Sequence, residues 1–294
     1  MLRTLILDFD GSVGPMEGAD AIPLGELQEA IRFSCRMSML RRLQADLEPR
    51  LRAGPPVVFM GSGDYHHVSY VLIERLRRLN TRIQVVVFDN HPDNMRYPFG
   101  IHCGSWVWHV SRLPFVACVH VVGITSTDVE RLHVIENHLA PLRSGRVVYW
   151  CVGRNLAALR LLGVRESQSF VSVADMLARL GATLSDTREP VYLSIDKDVL
   201  ARDVVQTNWD QGVMRLEELT SAIQMLQGRI VASDVVGDVS SYRYRSRVKR
   251  FLSFIDGQPQ IPNHNLSEWQ ADHHQVNRLL LSLLSRGVDY LGKH

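Results

Sequence analysis

Three short segments concentrate the side chains able to do chemistry. The first reads Asp89-Asn90-His91-Pro92-Asp93-Asn94, two carboxylates flanking an imidazole at alternate positions. In an extended or turning loop, alternate residues can face one point. Carboxylate and imidazole together suit manganese, iron or zinc, whereas calcium and magnesium prefer oxygen alone. The second reads Ser194-Ile195-Asp196-Lys197-Asp198, again with alternate acids. Two close carboxylates repel unless they are solvated, paired or bridged by a cation. The third reads Gly61-Ser62-Gly63-Asp64-Tyr65-His66-His67, where glycines allow a tight turn and either histidine, His66 or His67, can be a further ligand. Alone, each has a bland reading: a polar turn, an exposed strand end, a helix cap.

The elements that must position these groups are legible as short β-branched runs: Leu5 to Phe9, Val57 to Met60, Val85 to Phe88, Val119 to Gly123, Val147 to Val152, Val191 to Ile195 and Ile230 to Ala232. Their length and Val and Ile content suit buried parallel strands. Amphipathic segments lie between them, at Leu27 to Leu51, Val68 to Leu79, Asp128 to Leu139, Ser172 to Leu180 and Leu216 to Leu226, and Leu279 to Leu284 falls in a last helix. Gly54-Pro55-Pro56 reads as a helix stop, and Gly257 to Asn265 as the most loop-like stretch. Alternating strands and helices predict one α/β domain over residues 1–294, a three-layer αβα sandwich with a mainly parallel sheet. Each polar cluster directly follows a predicted strand, and Asp234 to Asp238 follows another. In open parallel sheets, ligands bind outside the carboxyl ends of the strands, so these loops are expected to converge on one crevice.

Composition narrows the function class. Lys and Arg number 33 against 31 Asp and Glu, a net charge of +2 with no block of one sign, so neither nucleic acid nor a membrane surface is an expected partner. No run approaches the length of a membrane span, and the N-terminal apolar run is too short for a signal sequence. The four cysteines, Cys35, Cys103, Cys118 and Cys151, form no CxxC pair and read as reduced thiols of a cytoplasmic protein.

Taken together, the three clusters resemble the ureohydrolase superfamily of arginases, agmatinases and formiminoglutamases. That family carries a Gly-Gly-Asp-His turn, an Asp-Ala-His-x-Asp loop and an Asp-x-Asp pair in this order, and the similarity here runs from about Val57 to Asp238. The resemblance implies an arginase-like fold with two divalent cations, usually manganese, with zinc or iron as alternatives. Asp89 and Asp196 would bridge them. Asp93 and one of His66 and His67 would complete one ion, His91 and Asp198 the other. A water shared by the ions would attack the sp2 carbon of a guanidino, amidino or amide compound and break a C–N bond. Asp198 is thus a catalytic candidate as well as a ligand. His102, in Gly100-Ile101-His102-Cys103-Gly104, matches a family His that handles protons near the substrate. The resemblance also implies a small-molecule substrate and a homo-oligomer.

The chain departs from the family pattern in places. Tyr65 intervenes between Asp64 and the first histidine, and Asp234 stands where guanidinium-binding members carry Glu. The loop after the Asp196 pair reads Thr207-Asn208-Trp209-Asp210-Gln211-Gly212, which makes Asn208, Trp209, Asp210, Gln211 and Asp234 candidate substrate contacts. Three other readings stand beside this one. A deacylase on the same ancestral architecture would hold one zinc. A non-catalytic relative would keep the metal alone. Leu7-Asp8-Phe9-Asp10-Gly11-Ser12 resembles the first motif of haloacid dehalogenase-type phosphatases, with Asp8 as nucleophile and Asp8 and Asp10 holding magnesium.

Overall fold

The computed structural model describes residues 4–51, 57–255, 261 and 263–285. Its strands are β1 (Thr4–Asp8), β2 (Ala19–Pro23), β3 (Ser34–Cys35), β4 (Val57–Phe59), β5 (Ile83–Phe88), β6 (Ile101–His102), β7 (Val116–Ile124), β8 (Val147–Val152), β9 (Gln168–Phe170), β10 (Val191–Asp196) and β11 (Ile230–Val236). A 9-stranded sheet has the order β2-β1-β4-β11-β10-β5-β7-β8-β9, every neighbouring pair parallel. The short β3 and β6 form a separate antiparallel pair.

Side chains alternate across each strand, so each face of the sheet needs its own cover. Leu5, Leu7, Val85 and Val87 face the helices Met37–Leu51, Ser69–Glu74 and Trp106–Ser111, and pack with Leu40, Leu43, Leu47, Val71, Trp106 and Val110. Ile6, Val86, Phe88, Leu193 and Ile195 face the other way, toward Met176, Leu180, Leu219, Ile223, Leu280 and Leu284 on Val173–Ser185, Leu216–Leu226 and Asn263–Ser285. Each fully buried Val, Leu, Ile or Phe contributes roughly 1.5–3 kcal/mol relative to exposure, and the central strands β5 and β10 are buried along their whole length. The three-layer arrangement is the one expected from the alternating pattern, and its buried central strands put the ends of β4, β11, β10 and β5 side by side.

The local departures have causes. The predicted helix from Leu27 to Leu51 is broken between Ile31 and Met37. There Arg32 turns inward, Phe33 takes a left-handed φ of 71°, and Ser34 and Cys35 pair with β6. Arg32 is 1% exposed, and its guanidinium meets Asp64 (2.7 Å) and Asp10 (3.2 Å). A helix that continued would leave those buried carboxylates uncompensated. The segment from Asp128 to Leu139 forms 3-10 turns rather than a regular helix. β11 runs on to Val236, past the predicted end at Ala232. The predicted stop at Gly54-Pro55-Pro56 lies outside the described residues, as does the start of the Gly257 to Asn265 loop, whose last residues begin the final helix. Among the described residues, no helix is long and apolar enough to cross a membrane.

Candidate metal centre

The end of β5 delivers the first cluster. Asp89 N–H continues the sheet by donating to Val122 O (3.0 Å), and the chain then turns so that His91 N–H donates to Asp89 Oδ1 (2.6 Å). Asp93 closes the turn with φ 46°, a left-handed geometry that Asp tolerates better than most residues. Its Oδ2 accepts from the Trp106 indole at 2.7 Å. On the adjacent β10, Asp196 is the last strand residue, and its Oδ1 accepts from Asp198 N–H (3.1 Å). Asp198 Oδ1 in turn accepts from Asn90 N–H (3.0 Å), which ties the two loops together.

His66 reaches the same point from a 3-10 turn, Gly63–Val68, that follows β4. Its Nδ1 lies 3.1 Å from Asp93 Oδ2, 3.2 Å from Asp89 Oδ2 and 3.5 Å from Asp196 Oδ2. Its Nε2 meets Ser194 Oγ at 2.9 Å. His91 is arranged alike: Nδ1 is 2.9 Å from Asp198 Oδ2 and 3.6 Å from Asp89 Oδ1, and Nε2 is 2.7 Å from Asp210 Oδ1. Both imidazoles therefore turn one nitrogen inward to carboxylates and have the other held from outside.

Two sets of potential ligand atoms, His66–Asp89–Asp93 and Asp89–His91–Asp198, each lie within 4.8 Å of one another and share Asp89. The electrostatics show what such a site lacks. Burial pushes the carboxyls of Asp93, Asp196 and Asp198 up, and the neighbouring Asp89 charge adds to it, Asp93 reaching about 7 and Asp198 about 6. Burial alone would lower both imidazoles, but the facing carboxylates outweigh it and hold His66 and His91 well above the ordinary histidine value. Lys197, between the two acids in sequence, is fully buried with its ammonium on Asp238 (2.6 Å) and Asn277 (2.7 Å).

The residues present fit a divalent cation. His66 Nδ1 and Asp89 Oδ2 are buried with no partner in hydrogen-bonding geometry among the described residues, although both aim into the cluster. Such orphaned polar atoms are costly without a ligand. The backbone also leaves room for Asp196: a Cβ on Gly63 would stand 2.8 Å from its Oδ2, and one on Gly237 would stand 2.3 Å from its Oδ1.

The cluster forms the floor of a cleft of about 610 Å³, walled by Trp209 and Asp210, by Met95, Arg96, His102 and Cys103, and by Ser126, Thr127, Asp128, Glu136 and Asn137. With this geometry, comparison with known proteins is informative. No family model matches the chain. A Thermotoga maritima protein of uncharacterized function is 31% identical over 234 residues, covering 79% of this chain and 78% of that one. Among solved structures, proclavaminate amidino hydrolase from Streptomyces clavuligerus superposes with a TM-score of 0.59 at 15% identity, over 99% of this chain and 93% of that one. Agmatine ureohydrolase of Thermoplasma volcanium gives 0.57 at 12% identity, over 100% and 92%. Formimidoylglutamase from Bacillus subtilis gives 0.54 at 14% identity, over 84% and 68%. The chain has the ureohydrolase fold, and it belongs to one family with the Thermotoga protein.

On this ureohydrolase fold, the structure gathers Asp89, His91, Asp93, Asp196, Asp198 and His66 at one point and corrects several other expectations. His67 is fully buried and in neither ligand set, and burial first, with the Lys249 charge adding to it, holds it well below the usual histidine range. Asp234 does not line the cleft. It lies inside β11, fully buried behind His66, where its Oδ1 accepts from Ser194 Oγ (2.8 Å) and its Oδ2 from the Tyr192 hydroxyl. Asn208 does not face the cleft either: its amide pairs with the Ser240 backbone in both directions, at 2.7 and 2.8 Å. Gln211 spends its side chain on the backbone of Leu200, Val205 and Thr207. Trp209 and Asp210 do line the cleft. So does His102, but it is not the near-neutral acid expected from its residue type. Burial first, then the Lys249 charge, pushes its pKa to about 3, and its Nδ1 accepts from Gly104 N–H (2.8 Å), which assigns the ring proton to Nε2.

Asp8 and Asp10 stand apart from the centre. Asp8 Oδ1 accepts from Gly11 N–H (2.8 Å), while Asp10 is held by Ser12 and by the buried Arg32 guanidinium. Of the pair that the phosphatase reading gives to magnesium, Asp10 is thus already neutralised by a guanidinium. Residues that sequence reasoning missed are Ser194, Asn90 and Trp106. Asn90 sits inside the first cluster and was within reach of it. Trp106 comes from a separate helix, and only the fold brings it to Asp93.

Proposed function

We propose that this protein is a metal-dependent hydrolase that breaks a C–N bond of a guanidino, amidino or amide compound, using two divalent cations, manganese being the first to try. The observation that carries this reading is the pair of ligand sets sharing Asp89. Asp89, Asp93 and His66 would hold one ion, Asp89, His91 and Asp198 the other, and Asp196, whose Oδ2 is 3.5 Å from His66 Nδ1 and whose Oδ1 faces Asp198 N–H, would join the two. Divalent cations in such a site supply an activated water and polarise the bond to be cleaved. The similarity to amidino and formimidoyl hydrolases supports the C–N bond as the target. A deacylase with one zinc would need a single complete ligand set, and the second set favours the binuclear reading.

The chain's own residues have definable parts. The cleft volume suits a small-molecule substrate. His102, neutral on the cleft wall, does not store a proton near neutrality. Trp209 covers one side of the cluster, its ring 6.5 Å from His91, and limits access of bulk water. With Asp234 turned away, the carboxylates of Asp128 and Glu136 on the cleft wall can meet a cationic substrate group.

The test is metal content by elemental mass spectrometry after manganese loading and dialysis, for wild type and for Asp196→Ala. About two equivalents in the wild type and none in the variant support the reading, and released urea or ammonia from a panel of guanidino and amide compounds would then locate the substrate. One tightly held zinc, or full occupancy in Asp196→Ala, would sink it.

A further inference from the structure

Asp210 stands on a loop that no ligand motif includes, yet its carboxylate addresses one ring nitrogen. Asp210 Oδ1 lies 2.7 Å from His91 Nε2, on the side of the ring opposite the ligand cluster. Asn90 aims it by two contacts. Asn90 Nδ2 donates to Asp210 Oδ2 (3.2 Å) and to the Asp210 carbonyl (3.0 Å). The Asn90 amide is itself oriented by Thr125, whose N–H and hydroxyl donate to its Oδ1 at 3.1 and 2.5 Å. Beyond Asp210, Gly212 N–H donates to the Asp198 carbonyl (2.7 Å). A Cβ on Gly212 would stand 2.4 Å from Val199 O, so the loop lies directly on the backbone that carries Asp198.

We propose that Asp210 is a positioning residue for the His91 half of the metal centre: it fixes the His91 ring with its proton on Nε2 and its Nδ1 lone pair directed at the ion shared by Asp89 and Asp198. An imidazole can bind a metal through one nitrogen only while the proton stays on the other, and a carboxylate on that other nitrogen holds both tautomer and ring angle. Outer carboxylates of this kind change metal affinity by about 10- to 100-fold. The His66 half makes no use of Asp210, because its Nε2 partner is Ser194. The effect is therefore confined to one ion.

The proposal rests on the binuclear reading, and the experiment separates the two. Equilibrium dialysis with Mn2+ would be run on wild type, Asp210→Ala and Asp210→Asn, with urea unfolding of the metal-free proteins beside it. In Asp210→Ala the first equivalent should bind as in wild type and the second about 10- to 100-fold more weakly. Asp210→Asn, which keeps an oxygen acceptor without the charge, should fall between. The metal-free Asp210→Ala protein should unfold at nearly the wild-type midpoint, which a merely structural role for this largely exposed carboxylate would shift. A wild type that takes up no metal overturns the binuclear reading and this proposal with it. A wild type with two equivalents beside an Asp210→Ala that keeps both, or loses both equally, overturns the proposal alone.

Discussion

The two halves of the centre hold their imidazoles in the same way and with opposite kinds of material. His66 is 1% exposed, and the chain behind it, Ser194 and then Asp234 and Tyr192, lies on β10 and β11 in the middle of the sheet. The His91 side chain is 18% exposed, and its outer partner Asp210 is 63% exposed on a loop. Sheet interiors do not move without breaking ladder hydrogen bonds, whereas a loop contact can be altered at small cost to the fold. One half is thus part of the folding core, and the other is an accessory that loop evolution can retune. Fold stability and metal binding should be inseparable on the His66 side and separable on the His91 side.

The sharpest way to break this comparison is Asp234→Ala. The change removes the acceptor of two buried hydroxyls, Tyr192 and Ser194, and leaves a cavity beside them. Unsatisfied buried donors and lost volume together cost about 3 kcal/mol. Urea unfolding of the metal-free variant should show that loss, and manganese dialysis should show the first equivalent weakened by roughly 10- to 100-fold. Asp234→Ala with wild-type stability would mean that the Ser194–Asp234 chain is not the support it is taken for.

How far this division can be read from sequence depends on what sets each position. The convergence of the Asp89–Asp93 and Asp196–Asp198 clusters is legible because residue type and location agree: the ends of apolar strands fall where the paired acids stand. His66 and His67 are adjacent, and only the 3-10 pitch of their turn decides which ring faces the acids. Asp234 was misplaced because β11 continues to Val236, so a residue expected in a crevice loop is a strand residue with its side chain committed to a face of the sheet. The break at Arg32 depends on Asp10, Asp64 and Ser240, all distant in sequence, and no local propensity encodes it. The roles of Asn208 and Gln211 fail for a related reason. Polar residues in a loop have the same composition whether they face a ligand or tie down their own backbone.

A core histidine remote from both ligand sets calibrates the acid sensitivity of the fold. His120 on β7 is 5% exposed, with Nε2 on Gln84 (3.2 Å) and Nδ1 accepting from the Trp150 indole (3.2 Å). Burial pushes its pKa down to about 4. The unfolded chain takes up that proton near the ordinary histidine value of about 6.5. The folded state therefore binds fewer protons than the unfolded state between about pH 6.5 and pH 4. The stabilisation from neutral His120 is complete above that window and declines as pH falls through it. Linkage sets the loss at about 2 kcal/mol by pH 5. Urea midpoints measured from about pH 7.5 to pH 4.5 should fall less steeply for His120→Gln than for wild type. Identical slopes would show that neutral, buried His120 contributes nothing to the acid sensitivity of the fold.

The smallest expected effect is the most discriminating one. Asp210→Ala removes a largely exposed carboxylate, leaves no buried donor stranded, and takes nothing from the apolar core. Surface substitutions of this kind change stability by no more than about 0.5 kcal/mol. The metal-free Asp210→Ala protein should therefore unfold in urea at nearly the wild-type midpoint and with the same slope. The Asn90 amide, which loses one acceptor, keeps the Asp210 backbone carbonyl and both Thr125 donors. A midpoint shift as large as that of Asp234→Ala would show that the 207–212 loop is a structural member of the fold, and the His91 half would then be as deeply built as the His66 half. An unchanged midpoint beside a weakened second ion would show that this side of the centre is held by a contact the fold can do without.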